Sequence, residues 1–341
     1  MMKKKLTGVL MCALAFTLLT GCGGGGGSSA PEAKKPTIKV EAPLKTKVGA
    51  VDISSQKLAG YKFEAKTDKE IAGMTVYNGK LVYAAKQAKE IRAVKINGGI
   101  AELATDTFDK GILVHKDNNK ALEVARVAAD KNGYLYYDSS NKIYSYKDKK
   151  EQKAALGGQL AIAPDGKTAY AFFPQTYFEK GELKDGKFIN AKESFLKQGE
   201  PKQGPLERIE DVKVGADGKV YALGVSSMQD MKYNAAIFSA DGKQLALLGA
   251  DKDNQPNTIS FPKGLAITDK YVCVMINGMP AGLGIWTQDG KFVGVAQAAA
   301  IFGKGYRAAA IGNWDKDSVI VAAQTDKDKK YTYEFFEISL K

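Results

Sequence analysis

Short runs of alternating apolar and polar residues, separated by tight turns, fill the chain from residue 37 to residue 341. The runs are rich in Val, Ile, Tyr and Phe, and nine Asn-Gly or Asp-Gly pairs, the strongest short signal for a hairpin turn, lie among them. No long segment has the 3.6-residue period of a helix. The pattern therefore predicts an all-β body built from consecutive hairpins.

Hairpin turns recur along the chain at a spacing that indicates internal repeats. The first turn of each unit falls near residues 78, 132, 165, 217, 269 and 316, at intervals of 33 to 54 residues. In four units a second turn follows 19 to 24 residues after the first. Units of roughly forty to fifty residues with four strands each are typical of the blades of a β-propeller. The spacing therefore predicts an all-β, six-bladed β-propeller over residues 37–341.

A strand from the N-terminal part of the body is predicted to complete the last blade. The sixth unit stops after residues 331–340, one strand short of the four that a blade needs. Residues 50–53 or 61–65 have a strand pattern and could supply the fourth. Pairing the two ends would close the ring and remove free sheet edges. A seventh blade would have to fit between Asp106 and Val124, and that stretch is too short.

Two short phrases resemble those of known propellers. Residues 262–267, Pro-Lys-Gly-Leu-Ala-Ile, resemble the blade-opening phrase of the NHL-repeat superfamily. Residues 163–167, Ala-Pro-Asp-Gly-Lys, resemble a phrase of Tol-system propellers. The resemblance extends over residues 37–341 and implies a six-bladed architecture. It implies little about function, because one fold carries many activities.

The first 22 residues resemble the leader of a bacterial lipoprotein. Lysines at residues 3–5 precede an apolar stretch over residues 6–19, which is too short to span a bilayer. Residues 19–22, Leu-Thr-Gly-Cys, are similar to a lipobox. The resemblance implies that residues 1–21 are a signal peptide and that Cys22 becomes the lipidated first residue of the mature chain. The alternative is an ordinary secretory leader in which the cysteine is accidental.

Residues 22–36 are rich in Gly, Ser and Pro and predict a flexible tether, because such a segment cannot bury a core. Each acyl chain contributes about 0.8 kcal/mol per buried methylene group, so two or more chains would anchor the protein stably. We therefore expect a membrane-anchored lipoprotein whose body, residues 37–341, faces the periplasm or the cell exterior.

Charge and residue usage exclude several classes of function. The formal net charge is +12, and all but four of the 50 basic residues are lysines, which are scattered through turns and interleaved with aspartate. Nucleic-acid readers favour arginine, so the lysines indicate a solvated surface and no nucleic-acid partner is expected. One histidine and three cysteines exclude a His/Cys zinc site and a disulfide scaffold. Cys273 lies alone in an apolar run and is predicted to be a buried core residue.

Candidate site residues gather where a propeller usually acts, at the mouth of its central channel. The segments that lead into the innermost strands should converge there, and three of the four arginines fall in them at equivalent repeat positions. A cationic mouth would bind a carboxylate, a phosphate or a glycan. Alternatively, the arginines pair with acidic neighbours, Glu123 among them, and hold adjacent blades together. The candidate ligand-binding residues are Arg126, Arg208, Arg307, Glu210, Asp211 and Lys263.

Other chemistry has little support in the residues. His115 lies in a polar stretch and is predicted to be exposed in a loop, without further metal ligands beside it. Lactonase-like relatives of the propeller superfamily hold a metal in the channel with acidic and amide side chains from several blades. Here acidic residues occur at one mouth segment besides Glu70 and Glu123, so this implication of the resemblance is not met. We expect no catalytic residue, no metal site and no cofactor.

The leading interpretation is a non-catalytic binding platform that presents the propeller to a protein or glycan partner in the cell envelope. Two alternatives stay open. One is a channel-mouth hydrolase or lactonase-like enzyme, which a metal requirement would favour. The other is a binder of a small anionic ligand, which the arginines would favour. The chain is expected to be a monomer that is attached to the membrane through the lipid on Cys22.

Overall fold

The computed structural model describes residues 38–156, 158–172, 178–195, 205–250 and 255–341. The expected signal peptide, Cys22 and the tether lie outside these residues. Within them, six antiparallel sheets and one two-stranded hairpin account for nearly all regular structure. The one α-helix of this part of the chain has five residues, and no helix there is long and apolar enough to cross a membrane.

The first blade follows three strands that belong to the last one. These three are β1 Leu44–Val48, β2 Val51–Lys57 and β3 Phe63–Ala65. The first blade itself consists of β4 Ile71–Tyr77, β5 Lys80–Ala85, β6 Glu90–Asn97 and β7 Ile100–Leu103. A 3-10 turn over Asp109–Gly111 follows this blade, and then the edge strand β8 Ile112–Leu113, which pairs with β6. The hairpin of β9 Lys116–Asp117 and β10 Lys120–Ala121 comes next. The stretch before the second blade therefore does not hold a seventh.

The next four blades each contain four antiparallel strands in chain order. The second consists of β11 Ala125–Ala129, β12 Leu135–Ser139, β13 Lys142–Lys147 and β14 Lys150–Leu156. The third consists of β15 Gln159–Ile162, β16 Thr168–Phe172, β17 Phe178–Lys184 and β18 Lys187–Ser194. The fourth consists of β19 Arg208–Val214, β20 Val220–Ser227, β21 Lys232–Phe238 and β22 Gln244–Leu248. The fifth consists of β23 Pro262–Ile267, β24 Tyr271–Ile276, β25 Gly282–Thr287 and β26 Phe292–Gln297, and the short helix α1 Ala298–Phe302 follows it.

The sixth blade is completed by the N-terminal strands, as the sequence predicts. Its own strands are β27 Arg307–Asn313, β28 Ser318–Lys327 and β29 Lys330–Leu340. β2 pairs with β29, from Ile53 opposite Leu340 to Lys57 opposite Phe336, and β1 lies outside β2. β3 pairs with the opposite end of β29. Both segments that were candidates for the closing strand therefore pair with the C-terminal strand.

The six innermost strands pack against one another in a closed ring. Their order around the central channel is β4, β11, β15, β19, β23 and β27, and β27 packs back against β4. Four of these strands, β4, β11, β15 and β19, lead into a predicted Asn-Gly or Asp-Gly turn whose glycine has a positive φ. In the first blade, Asn78 and Gly79 have φ values of 50° and 72°, which a two-residue type I′ turn requires and which Asn and Gly tolerate best. The six-bladed architecture is thus confirmed.

Apolar side chains fill the spaces between adjacent sheets. Between the fifth and sixth blades, Cys273 packs in one cluster with Ile311 and Phe336 and is fully buried. Burial raises the pKa of its thiol to about 12, so the thiol stays protonated and unreactive at neutral pH. The prediction that Cys273 is a core residue is therefore confirmed.

Candidate functional site

A cavity of about 400 Å³ lies at the end of the channel where the innermost strands begin. All six innermost strands contribute to its wall, together with Phe172 and Leu223 from second strands. A second cavity, of about 230 Å³, is lined by residues further along the same strands, including Asn313 and Trp314. The volume of the first cavity suits a small molecule.

A β-bulge near the start of the innermost strand recurs in five blades. In each of them two residues of the innermost strand face one residue of the second strand, and the extra residue lines the cavity. The five bulge residues are Ala72, Arg126, Glu210, Lys263 and Ala309. A bulge turns a side chain out of the regular alternation of a strand. Each of these blades thus directs one additional side chain into the channel.

Each carboxylate on the wall is paired with a cation of its own strand. Arg208 forms an ion pair with Glu210 through Nη2 and Oε1, and Lys213 Nζ lies 2.9 Å from Asp211 Oδ1. Asp211 Oδ2 also accepts a hydrogen bond of 2.9 Å from the backbone N–H of Leu265 in the next blade. The arginine–carboxylate pair therefore lies within β19, and Asp211 connects two blades through a backbone amide.

Arg126 enters the cavity as the bulge residue of β11. Its φ of 44° lies in the left-handed region, which a residue with a side chain rarely adopts. The guanidinium lies over the ring of Phe172, 5.9 Å from the centroid, and its Nη1 is buried without a hydrogen-bond partner in the described part of the chain. Burial lowers the pKa of this guanidinium, and the charges of Asp211, Asp138 and Glu210 oppose that shift. Arg126 is thus a cation with an unused donor at the cavity.

Asp138 stands beside Arg126, although no sequence motif singles it out. It faces Ala125 across β11 and β12, and with Arg126 and Gln159 it lines a small recess next to the cavity. Burial raises the pKa of the Asp138 carboxyl to about 6, although the charges of Arg126 and Lys86 oppose the shift. Its Oδ1 has no hydrogen-bond partner among the described residues. This carboxyl can therefore exchange protons near neutral pH.

Five of the six candidate residues line the cavity, and Arg307 does not. Arg307 is the exposed first residue of β27, in the position that Arg208 has in β19. Two residues later β27 has Ala309, where β19 has Glu210, so no carboxylate draws the Arg307 side chain inward. Ligand binding by the five remains a prediction. Polar or aromatic wall residues that the sequence reasoning missed are Gln159, Phe172 and Lys213.

The prediction that His115 is exposed is wrong. Its side chain is 2% exposed, its Nδ1 lies 2.8 Å from Glu151 Oε1, and its ring centroid lies 4.2 Å from that of Tyr144. Tyr137 also donates a hydrogen bond to Glu151. The residues of β9 that follow His115 are exposed, but the imidazole itself packs against aromatic side chains of the second blade. His115 does not line the channel cavity.

The cavity wall does not fit the channel metal that the resemblance to lactonases implies. Its two carboxylates, Glu210 and Asp211, come from one strand, and both are paired with cations. Arg126 and Lys263 bring further positive charge to the same space, which would repel a dication. In the part of the chain that the structure describes, no group of three or more His, Cys, Asp or Glu residues could hold a metal ion. No catalytic step is therefore assigned to a metal.

No protein-family model matches the chain, and no curated protein matches it in sequence. Solved structures do match. Gluconolactonase from Xanthomonas campestris is 11% identical with a TM-score of 0.52, over 90% of this chain and 99% of the other. A catalytically inactive histidine-to-alanine variant of virginiamycin B lyase from Staphylococcus aureus, with quinupristin, is 12% identical with a TM-score of 0.52, over 89% of this chain and 100% of the other. A Bacteroides thetaiotaomicron protein of unknown function is 12% identical with a TM-score of 0.51, over 92% and 89%.

These neighbours correct the leading interpretation of the sequence. Two of them are enzymes by name, and this contradicts the interpretation as a non-catalytic platform. The alternative of a lactonase-like enzyme fits better and is taken up below as a proposal. At 11 to 12% identity the likeness itself shows the fold. The chain is an all-β, six-bladed β-propeller whose structural neighbours include gluconolactonase and virginiamycin B lyase.

Proposed function

We propose that the protein is a hydrolase of the lactonase-like class that acts in the 400 Å³ cavity at the mouth of the channel. One observation carries the proposal: bulges in two blades direct a carboxylate, Glu210, and a guanidinium with an unused donor, Arg126, into one small cavity. The two named enzymes among the structural neighbours support the same class.

Opening a lactone with water requires a base for the water and a donor for the developing oxyanion. Glu210 can act as the base, because Arg208 holds its Oε1 while no donor in the described chain bonds its Oε2. The guanidinium of Arg126, on the wall of the same cavity, can donate to the carbonyl oxygen as it becomes an oxyanion. The water oxygen attacks the carbonyl carbon as Glu210 takes its proton. The ring C–O bond then breaks, and Glu210 returns the proton to the departing oxygen.

In the part of the chain that the structure describes, no serine, threonine, cysteine or histidine lines this cavity, and Asp211 and Lys213 are engaged with each other in an ion pair. The thiol of Cys273 is buried in the core with a pKa of about 12, and His115 packs against the second blade. Neither residue lines the cavity. The chemistry therefore rests on an activated water molecule.

The proposal is tested by titrating the acid released from a series of lactones by the full chain, purified in detergent, with a chelator present. Glu210→Gln should lower kcat by about 10²- to 10⁴-fold, since an amide cannot take the proton. Glu123→Gln serves as the matched control, because Glu123 is half-exposed and does not line the cavity. Undiminished turnover by Glu210→Gln, or an absolute requirement for a metal, would contradict this mechanism.

We also propose that the chain is anchored to a membrane through lipid on Cys22. The basic cluster, the apolar stretch and the lipobox-like residues 19–22 support this proposal. Cells that express the protein would be grown with a clickable fatty acid and the purified chain examined for label. Cys22→Ala should abolish labelling, whereas Cys273→Ala should leave it intact because Cys273 is buried. Label retained in Cys22→Ala would rule out this anchor.

A further inference from the structure

The cavity carries more positive than negative charge. Four cations and two carboxylates lie on its wall, and each carboxylate pairs with one cation, Glu210 with Arg208 and Asp211 with Lys213. Arg126 and Lys263 are left, and neither has a carboxylate within ion-pair distance in the described part of the chain. Two cations in one small cavity repel each other until an anion lies between them.

The two cations that form no ion pair approach the channel axis from opposite sides. Arg126 is the bulge residue of the second blade and Lys263 that of the fifth. In a ring of six blades the second and the fifth are three places apart, which is the largest separation possible. An anion on the axis can therefore contact both side chains. The two side chains cannot pair with each other, because both are cations.

Arg126 is prepared for a planar anion. Its guanidinium lies over the Phe172 ring, Arg126 lines the cavity, and its Nη1 is buried without a partner in the described chain, so the guanidinium has hydrogen-bonding capacity that the protein leaves unused. The guanidinium fork matches the two oxygens of a carboxylate or a phosphate. Lys263 is exposed and has a long flexible stem, so it can adjust to the rest of the molecule.

On these grounds, and resting on the function proposed above, we infer that the substrate is an organic anion. Its carboxylate or phosphate group is held between Lys263 and those N–H groups of Arg126 that do not donate to the carbonyl oxygen, and its reactive carbonyl lies toward Glu210. The fourth blade, which carries Glu210, is adjacent to the fifth, so an anion held on Lys263 brings the rest of the molecule to the base.

The experiment compares a γ-butyrolactone that bears a carboxylate with the same lactone that bears an uncharged carboxamide. Calorimetry on the full chain with Glu210→Gln, which should hydrolyse neither lactone at an appreciable rate, gives both dissociation constants, and the wild type is used to measure hydrolysis. The carboxylate should bind at least about tenfold more tightly than the carboxamide, because charge-assisted hydrogen bonds are about twice as strong as neutral ones. This preference should shrink as salt is added. Equal affinity for the two lactones would overturn the inference.

Variants of Arg126 and Lys263 test whether these two residues bind the anionic group. Arg126→Gln combined with Lys263→Gln should abolish the preference for the carboxylate, whereas Arg307→Gln, an exposed arginine that does not line the cavity, should retain it. Should the double variant fail to fold, Lys263→Gln alone decides, since its side chain is exposed. An undiminished preference in the folded double variant, or in Lys263→Gln alone where the double variant does not fold, would overturn the inference.

Two further arms separate the possible outcomes. Inorganic phosphate that competes with the carboxylate lactone in the wild type, but not in the double variant, would support an anion site that also accepts phosphate esters. Tight binding of the carboxylate lactone without its hydrolysis would overturn the proposed enzyme and leave the anion site standing. Equal rates of hydrolysis of the two lactones would support the proposed hydrolase and overturn the inference that its substrate is an anion.

Discussion

Gly73 of the first blade lies directly against Arg126 of the second: a Cβ built on Gly73 would stand 2.7 Å from the Cα of Arg126. Both residues belong to the bulged part of an innermost strand, where Gly73 follows the bulge residue Ala72. The two bulges can interlock because one of them has no side chain at this point. The position of the Arg126 guanidinium therefore depends on a glycine in the neighbouring blade.

Gly73→Ala should separate the two innermost strands and displace Arg126. We expect a loss of about 1–3 kcal/mol in the free energy of unfolding, as overpacking usually costs, together with weaker binding of the carboxylate lactone. Urea unfolding and calorimetry measure the two effects. Gly79→Ala is the matched control, since Gly79 has a φ of 72° and no atom within 4 Å of an added Cβ. It should lower stability through turn strain and leave binding unchanged. Wild-type binding by Gly73→Ala would refute the positioning role of this contact.

Asp138 should make stability fall as the pH rises through about 6. Burial raises the pKa of its carboxyl to about 6, above the ordinary 3.8. The contribution of the neutral carboxyl to the free energy of unfolding is therefore fully present below about pH 3.8 and is lost as the pH rises through 6. Asp138→Asn should therefore be more stable than the wild type at pH 8 by about 1–2 kcal/mol and no more stable at pH 4. Urea titrations at the two pH values measure the difference. A gain that is equal at both would show that ionisation is not its source.

The number of blades and the closure of the ring follow from local patterns. A turn such as Asn78-Gly79 needs positive φ at both positions, and few residue pairs tolerate it, so such turns can be located from residue types alone. The strands between them alternate in polarity, and the spacing of the turns sets the length of each blade. The pairing of β2 with β29 then follows from the need to close the ring and leave no sheet edge free.

The arrangement of the site depends on features that alternation does not reveal. Glu210 and Asp211 are consecutive, and in a regular strand their side chains would point to opposite faces. The bulge at Glu210 lets both reach the same cavity. Arg307 occupies the same position in its blade as Arg208, but the residue two places later is alanine and not glutamate. Repeat position alone therefore wrongly predicts that Arg307 lines the cavity. His115 is buried by contacts with another blade segment, which a polar local sequence conceals.

Phe261 should tolerate replacement by glycine better than by alanine. It lies just before β23, has a φ of 47° and is 68% exposed, so it buries little surface while its backbone is in a region unfavourable to L-residues. Phe261→Ala keeps that strain, whereas Phe261→Gly relieves it. We expect the glycine variant to be the more stable of the two by about 1 kcal/mol, the reverse of the usual order, because left-handed backbone costs an L-residue about 1–2 kcal/mol. Melting temperatures of the two variants test this, and a more stable alanine variant would contradict it.

An ion cluster around the buried Glu334 lies where the two ends of the propeller meet. Glu334 of β29 has Lys62 Nζ at 2.8 Å and Lys57 Nζ at 3.2 Å from its Oε1, and Tyr306 donates a hydrogen bond to its Oε2. Lys57 belongs to β2, so the cluster joins the N-terminal strand to the C-terminal one. Burial alone would raise the pKa of Glu334, but the contacts with Lys62, Tyr306 and Lys57 outweigh it and hold this pKa below its ordinary value.

Glu334→Gln should therefore weaken the closure of the ring in a pH-dependent way. A carboxyl whose folded pKa lies below 4.5 contributes stability above that pH, and the contribution is lost as the pH falls through the folded pKa. At pH 7 we expect a loss of about 1–2 kcal/mol in the free energy of unfolding, because two ion pairs are lost while both lysines keep access to water. The loss should shrink as the pH falls through the folded pKa of Glu334, because below it the wild-type carboxyl is also neutral. Glu64→Gln, at an exposed position in β3, is the control and should change stability little across the same pH range. If the loss instead does not shrink at any pH at which the protein stays folded, the Glu334 side chain acts through its shape, and the charge of the cluster does not hold the ring closed.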